Sequence, residues 1–211
     1  MDKNKLLNAI NKALEEKGKR KFKQSVEIII SMKGIDFSKS ENRLNLDIIL
    51  PKGKGGKELK CAVFAEQEIA EKAKKAGADL IITPAEIPSY ADKTKAGELA
   101  ENYFTLAQPN LMGAVAKSLG QYLGKRGKLP KPIIGGDIKD IIAKSKNSVR
   151  IVSKGKYLPV AQALIGTEVM TADDLLDNAE IVYDAVKSKV HESNIRSVYV
   201  KLTMGKPAKV G

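Results

Sequence analysis

CAVFAEQEIAEKAKKAGADLIIT, residues 61–83, is the stretch whose reading decides the fold. It opens and closes on short apolar runs, Cys61–Ala65 and Asp79–Thr83, with little alternation of apolar and polar positions. Glu66–Ala76 between them reads as a helix. The pattern repeats downstream. YFTLA (Tyr103–Ala107) is a weaker run of the same kind, and helices are predicted at about Ala91–Asn102 and at Asn110–Leu123. Strands that are apolar on both sides and alternate with helices predict a parallel sheet covered on both faces. A further helix, Ile138–Lys144, follows Gly135-Gly136-Asp137, which reads as a turn and helix cap.

Outward from this block the pattern changes. SVEIIISMK (Ser25–Lys33) sets Val26, Ile28, Ile30 and Met32 against Glu27, Ile29, Ser31 and Lys33. LNLDIIL (Leu44–Leu50) sets Leu44, Leu46, Ile48 and Leu50 against Asn45, Asp47 and Ile49, and Pro51 stops it. VRIVS (Val149–Ser153), YLPVAQALIG (Tyr157–Gly166) and Ile195–Met204 also read as strands. Alternation of this kind predicts a sheet with one buried and one partly exposed face. One helix, Lys3–Lys17, is capped by Asp2, lined by Leu6, Ile10 and Leu14, and ended by Gly18. Another follows the cap Thr171, with Asp173 and Asp174 suiting its positive end. The expected fold is therefore α/β with two domains. Residues 1–60 and 148–211 form a discontinuous α+β domain with an open-faced sheet. Residues 61–147 form an inserted three-layer Rossmann-like α/β domain. PKGKGGKELK and KSKNS, near the two crossings, are expected to be flexible linkers.

The 211 residues carry 37 Lys and Arg against 25 Asp and Glu, a net charge of +12. A folded chain this basic meets a polyanion or wears a solubilising lysine coat, and charge alone does not separate the two. Only Arg20, Arg43, Arg126, Arg150 and Arg196 are arginines. Lys is a point charge, whereas Arg reads base edges with a two-pronged fork, so recognition of RNA shape and backbone is expected over a DNA base code. The lone Cys61 cannot form an internal disulfide, which suits a reducing cytoplasm. No apolar run approaches a membrane span, and the lysine-rich start reads as an amphipathic helix rather than a signal peptide.

Two stretches carry more specific wording. LMGAVAKSLGQYLGKRGKLPKP (Leu111–Pro132) is a helix with an apolar stripe at Leu111, Met112, Val115, Leu119 and Leu123. It is predicted to stop at Gly124 before the basic loop Lys125-Arg126-Gly127-Lys128. SVYVKLTMG (Ser197–Gly205) alternates Val198, Val200, Leu202 and Met204 with Ser197, Tyr199, Lys201 and Thr203. Period-two geometry puts the first set, Met204 included, on the core side, where it would support the closing turn. The second set offers hydroxyls, a phenol and an ammonium, groups that suit phosphates, 2′-hydroxyls and base edges. Gly205 lets a backbone approach closely. On its own this face also reads as an ordinary solvated strand ending in a turn.

In this order, the two stretches resemble the signatures of the large-subunit ribosomal protein L-one family, and the resemblance extends over essentially the whole chain. Lys206 separates Gly205 from Pro207, where many bacterial members run directly from Gly to Pro. KGKGGK holds one glycine more than the family pattern. No long N-terminal extension is present, which is more similar to archaeal members. The resemblance implies a protein that binds large-subunit ribosomal RNA in the mobile stalk, assists departure of deacylated tRNA from the exit site, and represses translation by binding its own mRNA. It implies a cytoplasmic, ribosomal location, a monomer when free of the ribosome, no membrane, no catalysis and no cofactor. Its RNA contacts carry over to Ser197 and to the turn Thr203, Met204 and Gly205. KFKQSVE, which resembles the family's first strand, adds Lys21, Phe22 and Glu27. A carboxylate in such a site accepts hydrogen bonds from base amino groups or a 2′-hydroxyl. The alternative for Glu27 is a surface pairing with Lys201 or Lys33. Lys33, Asn45 and Lys201, all from the polar sides of their strands, complete the candidate set.

Two rivals remain. One is a nucleotide- or small-molecule-binding enzyme that uses the middle α/β unit. GKGGKE (Gly53–Glu58) lacks the spacing of a phosphate loop and its Ser or Thr after Lys, and is read as a basic turn or an RNA-facing loop. A single His191, placed at a helix end, and a single cysteine leave no zinc set of the usual kind. Asp173, Asp174 and Asp177 read as solvated helix turns. The other rival is a ribosome assembly factor of the same superfamily, against which the intact Thr203-Met204-Gly205 stands.

Overall fold

The computed structural model describes residues 2–56, 60–153 and 158–211. The elements are α1 (Lys3–Leu14), β1 (Ser25–Met32), β2 (Asn45–Ile49), β3 (Lys60–Phe64), α2 (Gln67–Lys75), β4 (Leu80–Ile82), α3 (Lys93–Asn102) and β5 (Tyr103–Ala107). They continue with α4 (Met112–Lys125), β6 (Lys131–Pro132), α5 (Ile138–Asn147), β7 (Ser148–Val152), β8 (Val160–Thr167), α6 (Ala172–Val190), β9 (Ile195–Leu202) and β10 (Ala208–Lys209). The chain divides into two compact units, Met1–Gly56 with Asn147–Gly211, and Lys57–Lys146. Tyr157, the start of one expected strand, and Lys57–Leu59, within an expected linker, lie outside the described residues.

The first unit is built on an antiparallel sheet with strand order β10-β9-β1-β8. β1 buries Val26, Ile28, Ile30 and Met32 and leaves the residues between them half-exposed. Helices α1 and α6 cover the buried face, with Leu6 and Ile10 of α1 and Val182 and Val186 of α6 in one core with Val200 and Leu202 of β9. Asp2 caps α1 by accepting from the amide of Asn4 at 2.9 Å. The helix ends at Leu14, before the expected Lys17, and the chain turns at Gly18. The alternating runs do not all join one sheet. β2 pairs with β7 in a separate two-stranded antiparallel ribbon. Alternation reports burial on one side, but it carries no information on which strand is the neighbour.

The second unit holds a parallel sheet of order β4-β3-β5-β6 with a core on each face. Ala62 and Phe64 face Ala96 and Leu99 of α3 and Val115 and Leu119 of α4. Cys61 and Val63 face Ala73 of α2 and Ile138 and Ile142 of α5. That is the three-layer arrangement expected of strands apolar on both sides. Burial, with the Asp79 carboxylate adding to it, pushes the Cys61 thiol up to about 12, so it stays protonated and inert. α4 runs through Gly124 and closes at Gly127, whose φ of +66° supplies the left-handed residue. The Lys128 amide then donates back to the Leu123 carbonyl at 2.8 Å. KSKNS, expected as a linker, is instead the last turn of α5 running directly into β7.

One buried amide ties the first unit together. Asn178 of α6 is fully buried and donates to the carbonyls of Gly53 at 2.9 Å and Ile165 at 2.7 Å. Its oxygen accepts from the Lys52 amide at 3.1 Å. Truncation strands the buried Ile165 carbonyl and removes the side-chain partner of the part-buried Gly53 carbonyl and Lys52 amide. Asn178→Ala is therefore expected to lower the unfolding free energy by roughly 2–4 kcal/mol, read as a fall in the urea midpoint at unchanged slope. A midpoint within error of the parent would show that solvent takes over these bonds.

Candidate nucleic-acid interface

The face of the sheet away from the helices is laid out by register. Glu27 stands opposite Lys201, Ile29 opposite Tyr199, and Ser31 opposite Ser197. On the other side of β1 the same three residues meet Leu164, Gln162 and Val160 of β8. Directly opposed residues project to the same side of a sheet. Lys209 of β10 extends the row at Tyr199. The face is thus mixed, with Ile29, Leu164, Val160 and Tyr199 set among Glu27, Ser31, Gln162, Ser197, Lys201 and Lys209.

At one end of this face the chain leaves β9 through Thr203, Met204, Gly205 and Lys206. All four amides are already used. Thr203 donates to the Ser25 carbonyl at 3.0 Å and Gly205 to the Leu202 carbonyl at 3.0 Å. Met204 donates to Oε1 of Gln24 at 3.1 Å and Lys206 to a carboxylate oxygen of Glu16 at 3.1 Å. Thr203 Oγ1 accepts from the Ser25 amide at 3.1 Å, and Lys201 Nζ donates to the Thr203 carbonyl at 2.9 Å. A Cβ on Gly205 would lie 2.8 Å from Glu16 and 3.1 Å from the Leu202 Cβ, so the turn needs a glycine for close approach. The turn is rigid before any ligand arrives. It has spent its main-chain donors and exposes Met204 and Lys206.

The structure differs from the alternation at Met204. The strand ends at Leu202, so the period of two stops there, and the Met204 side chain is 58% exposed rather than turned to the core. Phe22, in the segment before β1, is 51% exposed. Lys19, Arg20, Lys21 and Lys23 flank it, all exposed. The register and the turn bring Glu27, Lys201, Thr203, Met204 and Gly205 to one end of the sheet, next to the segment that carries Lys21 and Phe22. Among the described residues Glu27 forms no ion pair, because Lys201 is turned onto the Thr203 carbonyl. Ser197 lies further along β9. Lys33 follows the far end of β1, about 26 Å from Ser25 at some 3.3 Å per strand residue. Asn45 is not on this sheet at all. It sits on the β2–β7 ribbon, where its oxygen accepts from Nε and Nη2 of Arg150 at 3.2 and 3.0 Å.

Sequence reasoning missed three residues of this end: Glu16, Gln24 and Glu168. Gln24 carried a usable signal, since it continues the inward phase of Val26 and Ile28 yet is polar, and it is buried. Nothing in the sequence marks Glu168, whose partner lies 144 positions away.

Residues 12–206 match the sequence profile of the ribosomal protein L1p/L10e family. The chain belongs to that family. It is similar to the large ribosomal subunit protein uL1 of Methanocella arvoryzae, with 41% identity covering 97% of each chain. The uL1 of Thermofilum pendens is 43% identical over 97% of this chain and 92% of its own. That of Pyrococcus abyssi is 39% identical over 99% and 96%. These names describe ribosomal proteins of archaeal type and not enzymes. Among the described residues no helix is long and apolar enough to cross a membrane.

The hydroxyl of Thr203 is spent on the protein, so its contribution is measurable without any ligand. Thr203→Val keeps the shape and leaves the Ser25 amide without its side-chain acceptor. The expected cost is about 1–2 kcal/mol, whereas Thr203→Ser stays near the parent in a urea titration. Equal stability of all three proteins would contradict this role.

Proposed function

We propose that this L1-family protein is a constituent of the large ribosomal subunit that grips large-subunit ribosomal RNA of the mobile stalk with the Thr203–Gly205 end of its open sheet. The turn whose amides are all spent carries this reading. Such a surface has little to offer a phosphate through its backbone. With the unpaired Glu27 beside it, it suits a partner that brings hydrogen-bond donors, such as 2′-hydroxyls and base amino groups. Phe22 and Met204 supply apolar contact for a base or sugar. Lys21 and its basic neighbours supply phosphate neutralisation, and Lys201 has two ammonium protons left for the same purpose. RNA offers both halves of this chemistry at once. Ser197 continues the contact along β9, and Lys33 and Asn45 are outlying contacts on a longer RNA.

The family resemblance extends the reading. The protein works in the cytoplasm on the ribosome, as a monomer when free of it, and its stalk position accompanies departure of deacylated tRNA from the exit site. Surplus protein represses translation by binding a similar fold in its own mRNA. Both RNAs need the same end of the sheet, so they must exclude one another. Feedback also requires the ribosomal site to bind more tightly, and a tenfold preference needs about 1.4 kcal/mol.

The test is a titration of the full chain with the stalk segment of large-subunit RNA, with random RNA of equal length, and with the leader of its own messenger as competitor. The logarithm of affinity is expected to fall with the logarithm of salt at about −0.7 to −0.9 per phosphate neutralised. Stalk RNA is expected to win over random RNA, and the messenger to be displaced by it. A flat salt profile or equal affinity for stalk and random RNA contradicts RNA recognition. Simultaneous binding of stalk and messenger contradicts feedback alone.

A further inference from the structure

Beneath the RNA-facing turn lies a polar pair that makes no contact of its own with the surface. Gln24 is 1% and Glu168 5% exposed. Gln24 Nε2 donates to Glu168 Oε2 at 3.2 Å, while Gln24 Oε1 accepts from the Met204 amide at 3.1 Å. The Glu168 amide donates to the Gln24 carbonyl at 3.0 Å, so the two residues are locked by main chain as well. The same carboxylate oxygen accepts from the Gly18 amide at 3.4 Å, where the basic segment Lys19–Lys23 begins. One buried node therefore joins the end of β8, the basic segment and the turn.

We propose that Glu168 and Gln24 are positioning residues for RNA binding, with Glu168 fixing the orientation of the Gln24 amide and Gln24 holding the turn at Met204. This rests on the RNA reading given above. A primary amide has a donor end and an acceptor end. Only the orientation with Oε1 toward Met204 makes a bond there, since the reverse sets an NH2 against an N–H. A carboxylate accepts and does not donate, so Glu168 selects the productive orientation. In a buried, low-dielectric setting a half-satisfied arrangement is costly, and the turn loses its anchor at Met204. The pair thus controls where Met204 and Gly205 stand without touching RNA.

The chemistry allows a swap. Glu168→Gln only relaxes the constraint: a glutamine there offers a donor end as well as an acceptor end, while the Gly18 and Met204 amides still favour the parent orientation. Gln24→Glu opposes two carboxylates. The double variant Gln24→Glu with Glu168→Gln restores the bond between the two side chains and the bond to Met204, and gives up only the long one from Gly18. The carboxylate introduced at position 24 accepts from the Met204 amide and from the new side-chain amide at position 168. Binding of the full chain to the stalk segment of large-subunit RNA is measured alongside random RNA at equal salt. Gln24→Glu is expected to lose about tenfold in stalk affinity with random-RNA affinity unchanged, Glu168→Gln to lose less, and the double variant to return to within about threefold of the parent, where tenfold is 1.4 kcal/mol. Amide exchange at Met204 is followed without RNA, and is expected to speed up in Gln24→Glu and slow again in the double. A Gln24→Glu variant that binds like the parent, or a double variant as weak as Gln24→Glu alone, overturns the proposal. If the parent shows no preference for stalk RNA, the RNA reading fails, and the exchange at Met204 still decides whether the pair sets the turn.

Discussion

The first unit depends on the two-sided pairing of β1. This strand, from the first forty residues, lies between β8 and β9, both from the last sixty. Val26 and Ile28 are fully sealed beneath it and Ile30 nearly so. A slip of one residue would turn all three to solvent, so the register is fixed by burial over the whole strand. Its end is pinned again, by the Thr203–Ser25 bonds and by Gln24 against Met204. That double fixing places Glu27 opposite Lys201 and sets the closing turn at one edge of the open face. It also explains how a separate α/β unit is carried in the middle of the sequence. The strands that define the first unit are supplied by the two flanking stretches.

A net charge of +12 and an acceptor-rich turn look contradictory until their tasks are separated. In the proposed complex, lysines along Lys19–Lys23 neutralise phosphates of any RNA, an attraction that is strong, salt-dependent and indifferent to sequence. Selectivity needs groups whose satisfaction depends on what the RNA offers at a particular place. A half-exposed carboxylate such as Glu27, once a partner covers it, penalises any partner that brings no donor. The rigid turn adds to this, since it cannot relax to suit a poor match. Rigidity here comes from the protein's own bonds at Thr203, Met204, Gly205 and Lys206, formed before binding, so little ordering cost remains to be met on association.

Much of this was legible in the sequence, because it rests on local periodicity. The alternation in Ser25–Lys33 and in Ser197–Leu202 named the buried and open faces correctly, and the two-sided apolar runs at Cys61–Ala65 and Tyr103–Ala107 named a covered parallel sheet. Thr171 and Asp2 cap the helices they were expected to cap. What failed was what periodicity does not encode. β6 and β10 are two residues long, too short to show a pattern. Both β2 and β7 alternate as well as β1 does, yet pair only with each other. The pattern carried Met204 inward one step past the end of its strand. Glu168 and Gln24 meet across 144 positions through a fold that the sequence states only indirectly.

The central claim is that the exposed end of the sheet, and not the α/β unit, meets RNA. Hydroxyl-radical footprinting of side chains tests it directly, because each unit carries its own exposed reporters: Phe22 and Met204 in the first, Leu129 and Ile134 in the second. All four are expected to be oxidised in the free protein. With the stalk segment of large-subunit RNA bound, Met204 and Phe22 are expected to become protected while Leu129 and Ile134 keep reacting. Unchanged oxidation of Met204, with protection gained at Leu129 and Ile134, would contradict the account.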